Sequence, residues 1–286
     1  MAYEKTVLFL LQETKYPNNQ DYFFTISRQE VTNAAISNMT PTLMISGSNE
    51  KKNPTVAIIM GSGRCGEDYA ISQWYVNASL TNGLYPVFIS YEHVQKQLEY
   101  LQPNAIILSG GDFPFPDDWY ITKSFYASSD VNRFTAYRTT VSYAQTHKIP
   151  TLGICAGEQV IAGILGGKII SNINGLLVKN AINHRMPTGT HKVNINKDSL
   201  LYSIVGKDKM EVSSRHNEAV ASGKNNGFSI SAYASDGIVE AVEPKDPWNE
   251  FALGVQWHPE KQAALVQNSP DAKIFQALAS AASKRR

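Results

Sequence analysis

The chain has 286 residues, of which 43% are hydrophobic, enough to bury one large core and consistent with a single α/β domain. A formal charge of +1 offers no basic field for nucleic acid or an anionic membrane, so neither is expected as a partner. The two cysteines, Cys65 and Cys155, make no disulfide framework and no metal-ligand cluster, which suits a reduced, cytoplasmic protein.

Taken in chain order, Val7–Leu11 is too short for a signal-peptide core or a bilayer span and reads as a strand. The capping box Ser27-Arg-Gln-Glu30, with Ile26 and Val31 available as a hydrophobic staple, predicts a helix over about Arg28–Asn38. A strand at Thr42–Ser46 and a polar connection follow. Residues 1–54 therefore read as an amino-terminal extension packed on a main domain of residues 55–286. The triplets at Asn38 and Asn77 match the glycosylation pattern, but without secretion they are chance matches.

Thr55–Met60 is an apolar run of the kind buried on both faces of a parallel sheet. Gly61-Ser-Gly-Arg-Cys-Gly66 after it fits a dinucleotide-binding glycine pattern, with Glu92 as a loose ribose-binding acid; a plain loop beside the active site is the preferred reading. Glu67–Asn82 reads as a helix with Ile71, Trp74, Tyr75 and Ala78 on its core face, and Tyr85–Ser90 as a strand. Ala105–Leu108 is a further buried strand, running into Ser109-Gly-Gly-Asp112. Two glycines there put bare backbone N–H groups at the ligand-binding end of a parallel sheet, with an ordinary turn as the alternative. The helix over about Ser129–His147 carries Arg133, placed either at the surface or behind the site.

Ile149–Lys168 then reads as a strand, a sharp turn at Cys155 and an immediate helix. Such an elbow holds a nucleophile on a strained corner, and Gly153 and Gly157 let the neighbouring backbone pass. The first N–H groups of the helix favour a thiolate and can bind an oxyanion. Phe251–Glu260 reads as a strand ending in His258, Pro259 and Glu260. The proline lets the two flanking side chains point the same way, so Glu260 can orient His258 as the base for Cys155.

Between these motifs lie short strands at Val193–Ile195, Lys209–Ser213 and Phe228–Tyr233, with Ser214, Arg215 and His216 at the end of one. His184 and His191 have no companion cysteine or carboxylate at metal spacing and read as structural or rim residues, so no metal set is expected.

Gly153-Ile-Cys-Ala-Gly-Glu-Gln159 followed by Gly254-Val-Gln-Trp-His-Pro-Glu260 resembles the class I glutamine amidotransferase superfamily. Asn183-His-Arg185, His191-Lys-Val193, Ser214-Arg-His216 and Asp236–Glu243 carry a closer resemblance to its γ-glutamyl hydrolase branch. The resemblance covers residues 55 to 280. It implies a flavodoxin-like α/β fold, a mostly parallel central sheet flanked by helices. It also implies a Cys155–His258–Glu260 triad, an oxyanion hole from Gly110 or Gly111 with Ala156, a substrate-contacting Gln159, no cofactor and a small γ-glutamyl substrate. Ser214, Arg215 and His216 become substrate-binding candidates, since an arginine fork suits the α-carboxylate of a γ-glutamyl group. Ala156, Ser213, Asn217 and Glu218 depart from the family pattern and alter the expected substrate rim. Two further readings stay open: a glutaminase subunit serving a separate synthetase, and a binding protein with a residual triad. Self-association as a homodimer is left open.

Overall fold

The computed structural model describes residues 5–15, 21–36, 39–44, 53–62, 67–121, 131–173, 182–221 and 226–285. The amino-terminal part forms β1 (Lys5–Leu10), β2 (Gln12–Lys15), β3 (Tyr22–Ser27), α1 (Arg28–Ile36) and β4 (Met39–Met44). There follow β5 (Thr55–Ile59), β6 (Gly61–Ser62), β7 (Asp68–Ser72), α2 (Gln73–Thr81), β8 (Tyr85–Ile89), α3 (Val94–Leu101), β9 (Ala105–Leu108), α4 (Val131–His147), β10 (Thr151–Ile154) and α5 (Ala156–Ile164). The last third comprises β11 (Ile169–Ile170), β12 (Arg185–Ile195), α6 (Leu200–Val205), β13 (Lys209–Arg215), β14 (Ala219–Val220), β15 (Phe228–Ala234), β16 (Val239–Pro244), β17 (Ala252–Val255), α7 (Glu260–Leu265) and α8 (Pro270–Ser283).

Eleven strands make the central sheet, in the order β1-β4-β8-β5-β9-β10-β17-β16-β15-β12-β13. Its middle, β8-β5-β9-β10-β17, is parallel. These strands are apolar runs because helices cover both faces, and alternate residues feed two cores. Val56, Ile58, Leu152 and Leu253 pack with Val76 of α2 and Phe275 and Leu278 of α8. Ala57, Ile59, Ile106 and Leu108 pack on the other side with Tyr137 and Val141 of α4 and Val160 and Ile161 of α5. Beyond β17 the sheet continues antiparallel through β16, β15, β12 and β13. No helix among the described residues is long and apolar enough to cross a membrane.

The expected α/β architecture is thus present, and the amino-terminal residues take part in it. β4 pairs antiparallel with β8 through Leu43 and Phe88, and β1 runs parallel to β4, so both strands extend the main sheet. The helix expected over Glu67–Asn82 begins only at Gln73. Its first part is β7, because Tyr69, Ala70 and Ile71 pair with Ile26, Thr25 and Phe24 of β3 in a second sheet, β2-β3-β7-β6. Tertiary pairing there overrides a helical pattern.

Candidate active site

β9, β10 and β17 are neighbours in the sheet and run the same way, so the segments leaving their carboxyl ends meet. Cys155 leaves β10 with φ 54° and ψ −110°, a backbone conformation costly for a side-chain-bearing residue, and α5 begins at the next position. Its N–H donates to Val255 O at 2.8 Å, and its carbonyl accepts from Glu158 and Gln159 at 3.0 and 3.2 Å. The two glycines of the elbow are required by close backbone approach. A Cβ on Gly153 would lie 2.6 Å from Gly157 O, and one on Gly157 would lie 2.3 Å from Leu108 O. The thiol is free, and the residue is buried.

β17 ends at Val255, before the expected position, and Glu260 is the first residue of α7, capped by Pro259 at φ −72°. A helix start, rather than a continued strand, therefore turns Glu260 back towards His258. His258 Nδ1 is 2.8 Å from Glu260 Oε1. Trp257, fully buried, anchors the turn by donating its indole N–H to Asp271 Oδ1 at 3.0 Å. The Ser213 hydroxyl receives the His258 N–H at 3.3 Å. Burial disfavours the imidazolium, but the Glu260 carboxylate and a hydrogen bond with Cys155 outweigh it, holding the His258 pKa well above its usual value.

Gly110 touches both members of this pair: a Cβ there would fall 2.7 Å from His258 Cε1 and 3.1 Å from Cys155 Cβ. Its N–H donates to the Tyr75 hydroxyl at 2.9 Å, and its carbonyl accepts from Arg133 at 2.7 Å. Arg133 is buried, stacks over the Phe113 ring at 4.8 Å and bonds the Tyr137 hydroxyl at 3.0 Å, so of its two expected places it takes the one behind the site. Gly111 has φ +154°, and a Cβ there would fall 2.3 Å from the Arg133 guanidinium. Tyr75, read from the sequence as a core residue, is buried but turns its hydroxyl to the Gly110 loop. Burial first, then Glu260, raise its phenol pKa well above the usual range, so it is a neutral hydroxyl.

Ala156 is buried at the start of α5. Gln159 is buried too, and its amide N–H groups are committed to Glu218 O at 2.9 Å and Gln256 Oε1 at 2.8 Å. Glu158, not singled out from the sequence, is fully buried one turn after Cys155, and neither carboxylate oxygen has a hydrogen-bond partner. Burial, then Glu240 and Cys155, raise its pKa well above the usual carboxylate range, which favours the neutral acid.

The other substrate candidates divide. Arg215 is exposed at the end of β13. Ser214 and His216 point instead into the protein: the Ser214 hydroxyl donates to His184 O at 2.9 Å, and His216 Nδ1 lies 2.9 Å from Glu218 O. Asn217 and Glu218, expected on the substrate rim, are likewise buried. The reading of His184 and His191 as lacking a carboxylate companion is corrected by Glu240 of β16. Its Oε1 lies 3.2 Å from His184 Nδ1 and 2.9 Å from His191 Nε2. Burial alone would raise the Glu240 pKa, but His184, His191 and His216 together hold it far below the usual carboxylate range.

Of the glycine-rich stretch, Gly61 and Ser62 form β6, whereas residues 63–66, with Cys65, lie outside the described residues. Glu92, the loose ribose-binding candidate, instead accepts the Tyr69 hydroxyl at 2.5 Å.

The chain is similar to known proteins. A protein of Schizosaccharomyces pombe named as a glutamine amidotransferase is 31% identical over 212 residues, covering 72% of this chain and 79% of its own. The γ-glutamyl-γ-aminobutyrate hydrolase of Escherichia coli is 25% identical over 225 residues, covering 74% and 87%. The glutaminase domain of Trypanosoma brucei CTPS superposes with a TM-score of 0.57 at 18% identity, over 81% of this chain and 94% of that one. This last likeness shows the class I glutamine amidotransferase-like fold. The profile of peptidase C26 matches residues 59–260, from the end of β5 to the carboxylate beside His258, and the chain belongs to that family.

Proposed function

We propose that the protein hydrolyses γ-glutamyl amide bonds through a thioester on Cys155. The observation that carries this reading is the junction of Cys155, the His258–Glu260 pair at 2.8 Å and the Gly110 loop at three adjacent strand ends. The Cys155 sulfur attacks the γ-carbonyl carbon, and the carbonyl π pair moves onto oxygen. Backbone N–H groups of Ala156 and of Gly110 or Gly111 receive that oxyanion. The C–N bond then breaks as His258 gives its proton to the leaving amine. Water attacks the thioester, passing a proton to His258, and glutamate leaves as the thiol is restored. Glu260 holds His258 through Nδ1 and favours its protonated form during the first step.

Arg215, exposed where β13 ends beside the Ser213–His258 contact, is the proposed partner of the substrate α-carboxylate. The relative named for hydrolysis of γ-glutamyl-γ-aminobutyrate supports this substrate class. The test is glutamate release from γ-glutamyl-γ-aminobutyrate, a γ-glutamyl peptide and glutamine. Turnover without any partner protein, lost in Cys155→Ala, is the expected result. A folded wild-type protein that releases no glutamate from any of the three would contradict the proposal.

A further inference from the structure

Strands β12 and β16, with the residues just before β12 and just after β13, bring a second group of reactive side chains to one buried point, apart from the Cys155 site. Glu240 Oε1 lies 3.2 Å from His184 Nδ1, 2.9 Å from His191 Nε2 and 3.5 Å from His216 Nε2. The Glu240 side chain has 0% exposure, and the three imidazoles have 1%, 4% and 2%. Well-aligned hydrogen bonds do not account for these approaches. Both Glu240 oxygens, His191 Nε2 and His216 Nε2 all lack a partner in hydrogen-bond alignment.

The outer nitrogens explain why. His216 Nδ1 faces Glu218 O at 2.9 Å, and a carbonyl only accepts, so Nδ1 carries hydrogen and Nε2 is left facing Glu240. His184 Nε2 faces Asp236 Oδ2 at 3.0 Å, which puts hydrogen on Nε2 and leaves Nδ1 facing Glu240, with the Ser214 hydroxyl 3.4 Å away. Asp236 is itself fixed by the N–H groups of Ile182 at 3.1 Å and Ile238 at 3.3 Å. Nitrogens facing a carboxylate in a dry interior need positive charge between them, either a proton on each ring or a shared metal ion. A carboxylate behind His184 and a carbonyl behind His216 form the arrangement that orients histidines on a metal, whereas His191 Nδ1 has no hydrogen-bond partner.

The separations from Glu240 Oε1 agree. Ligand atoms about 2.0–2.1 Å from a tetrahedral ion stand about 3.3–3.4 Å apart, close to the 2.9–3.5 Å found around Glu240 Oε1. His184, His191 and Glu240 each offer one ligand atom within 4.8 Å of the others. We propose that these three residues, with His216 as the fourth ligand, form a closed site for a divalent transition-metal ion, zinc by its imidazole and carboxylate set. Four protein ligands leave no open position, so the ion is structural. It ties β12, β13 and β16 together behind His258, whose N–H rests on Ser213 of β13 and whose neighbour Gln256 donates its N–H to Glu240 O at 2.8 Å.

The test uses the full chain carrying Cys155→Ala, which removes the thiol as a competing zinc ligand. Stripped protein is titrated with zinc against a chromophoric chelator, and cobalt(II) is added to a parallel sample. The expected results are one zinc per chain, a higher Tm with zinc, and the visible d–d absorption of four-coordinate cobalt. Adding His191→Asn is expected to weaken zinc binding on the order of 100-fold or more. If that variant does not fold, the cobalt spectrum of the folded Cys155→Ala chain decides alone. No zinc uptake by that chain, an octahedral cobalt spectrum, or unchanged affinity after His191→Asn would overturn the site and leave a proton-linked ion-pair cluster.

Discussion

The phenol oxygen of Tyr75 receives the Gly110 N–H at 2.9 Å, which engages a donor that the proposed reaction needs for its oxyanion. The substrate must therefore displace this hydroxyl or use the neighbouring Gly111 N–H. Tyr75→Phe removes the competitor while keeping the buried ring. A hydrogen bond of about 1 kcal/mol corresponds to about a 5-fold change. Steady-state kinetics of Tyr75→Phe are expected to show kcat/KM raised by roughly that factor; a fall would mean that the hydroxyl positions the loop.

Glu260→Gln keeps the shape of the residue beside His258 and removes its charge. By analogy with triad carboxylates, activity is expected to fall about 10²–10⁴-fold. The pH profile gives the sign. Glu260 raises the His258 pKa in the native protein, so the protonated form that serves the leaving amine persists to higher pH. In the variant the alkaline limb of kcat/KM is expected to move to lower pH. An unmoved limb would assign it to another group.

How far the sequence carried this site follows from the range of each interaction. The Cys155 elbow and the His258–Glu260 pair are local, so spacing alone exposed them, and the glycines Gly153 and Gly157 were readable as places where backbone passes. The histidine cluster was hidden because His191 and Glu240 sit on β12 and β16 while His184 and His216 flank β12 and β13, segments far apart in sequence that only the fold brings together. A period-2 reading would have found part of it. Met210, Val212 and Ser214 share the buried face of β13, which points Arg215 outwards and Ser214 inwards. On β12, His191 shares its face with Val193 and Ile195. Glu158 lay inside the quoted motif, yet its meaning needed the packing of α5 on β17, where Gly254 leaves room for it: a Cβ there would fall 2.7 Å from Glu158 Cγ.

Glu158 makes a stability prediction. Its folded pKa lies well above the usual 4.5, so its contribution to stability is fully present below about pH 4.5 and is lost as pH rises through the raised folded value. Glu158→Gln has no proton to lose. Urea midpoints measured from about pH 5 to about pH 9 are expected to favour the variant increasingly as pH rises, by an amount on the order of a few kcal/mol at most. A constant difference across that range would show that Glu158 is ionised in the folded protein.

Gly157→Ala probes the packing that holds the elbow. The added Cβ would meet Leu108 O at 2.3 Å, a backbone atom of β9 that cannot rotate away. Calorimetry is expected to show a loss of about 3 kcal/mol or more, a fall in Tm of roughly 6 °C or more. A Tm unchanged within error would mean that α5 can shift away from β9 at no cost.

The central claim is that Cys155 carries the glutamyl group during turnover. The most direct measurement is acid quenching of the protein during reaction with a γ-glutamyl amide, followed by intact and peptide mass spectrometry. The account predicts a mass increase of one glutamyl residue on the Cys155 peptide, cleared by hydroxylamine and absent from Cys155→Ala. Glutamate release that continues in Cys155→Ala, with no adduct on the wild-type peptide at any quench time, would contradict it.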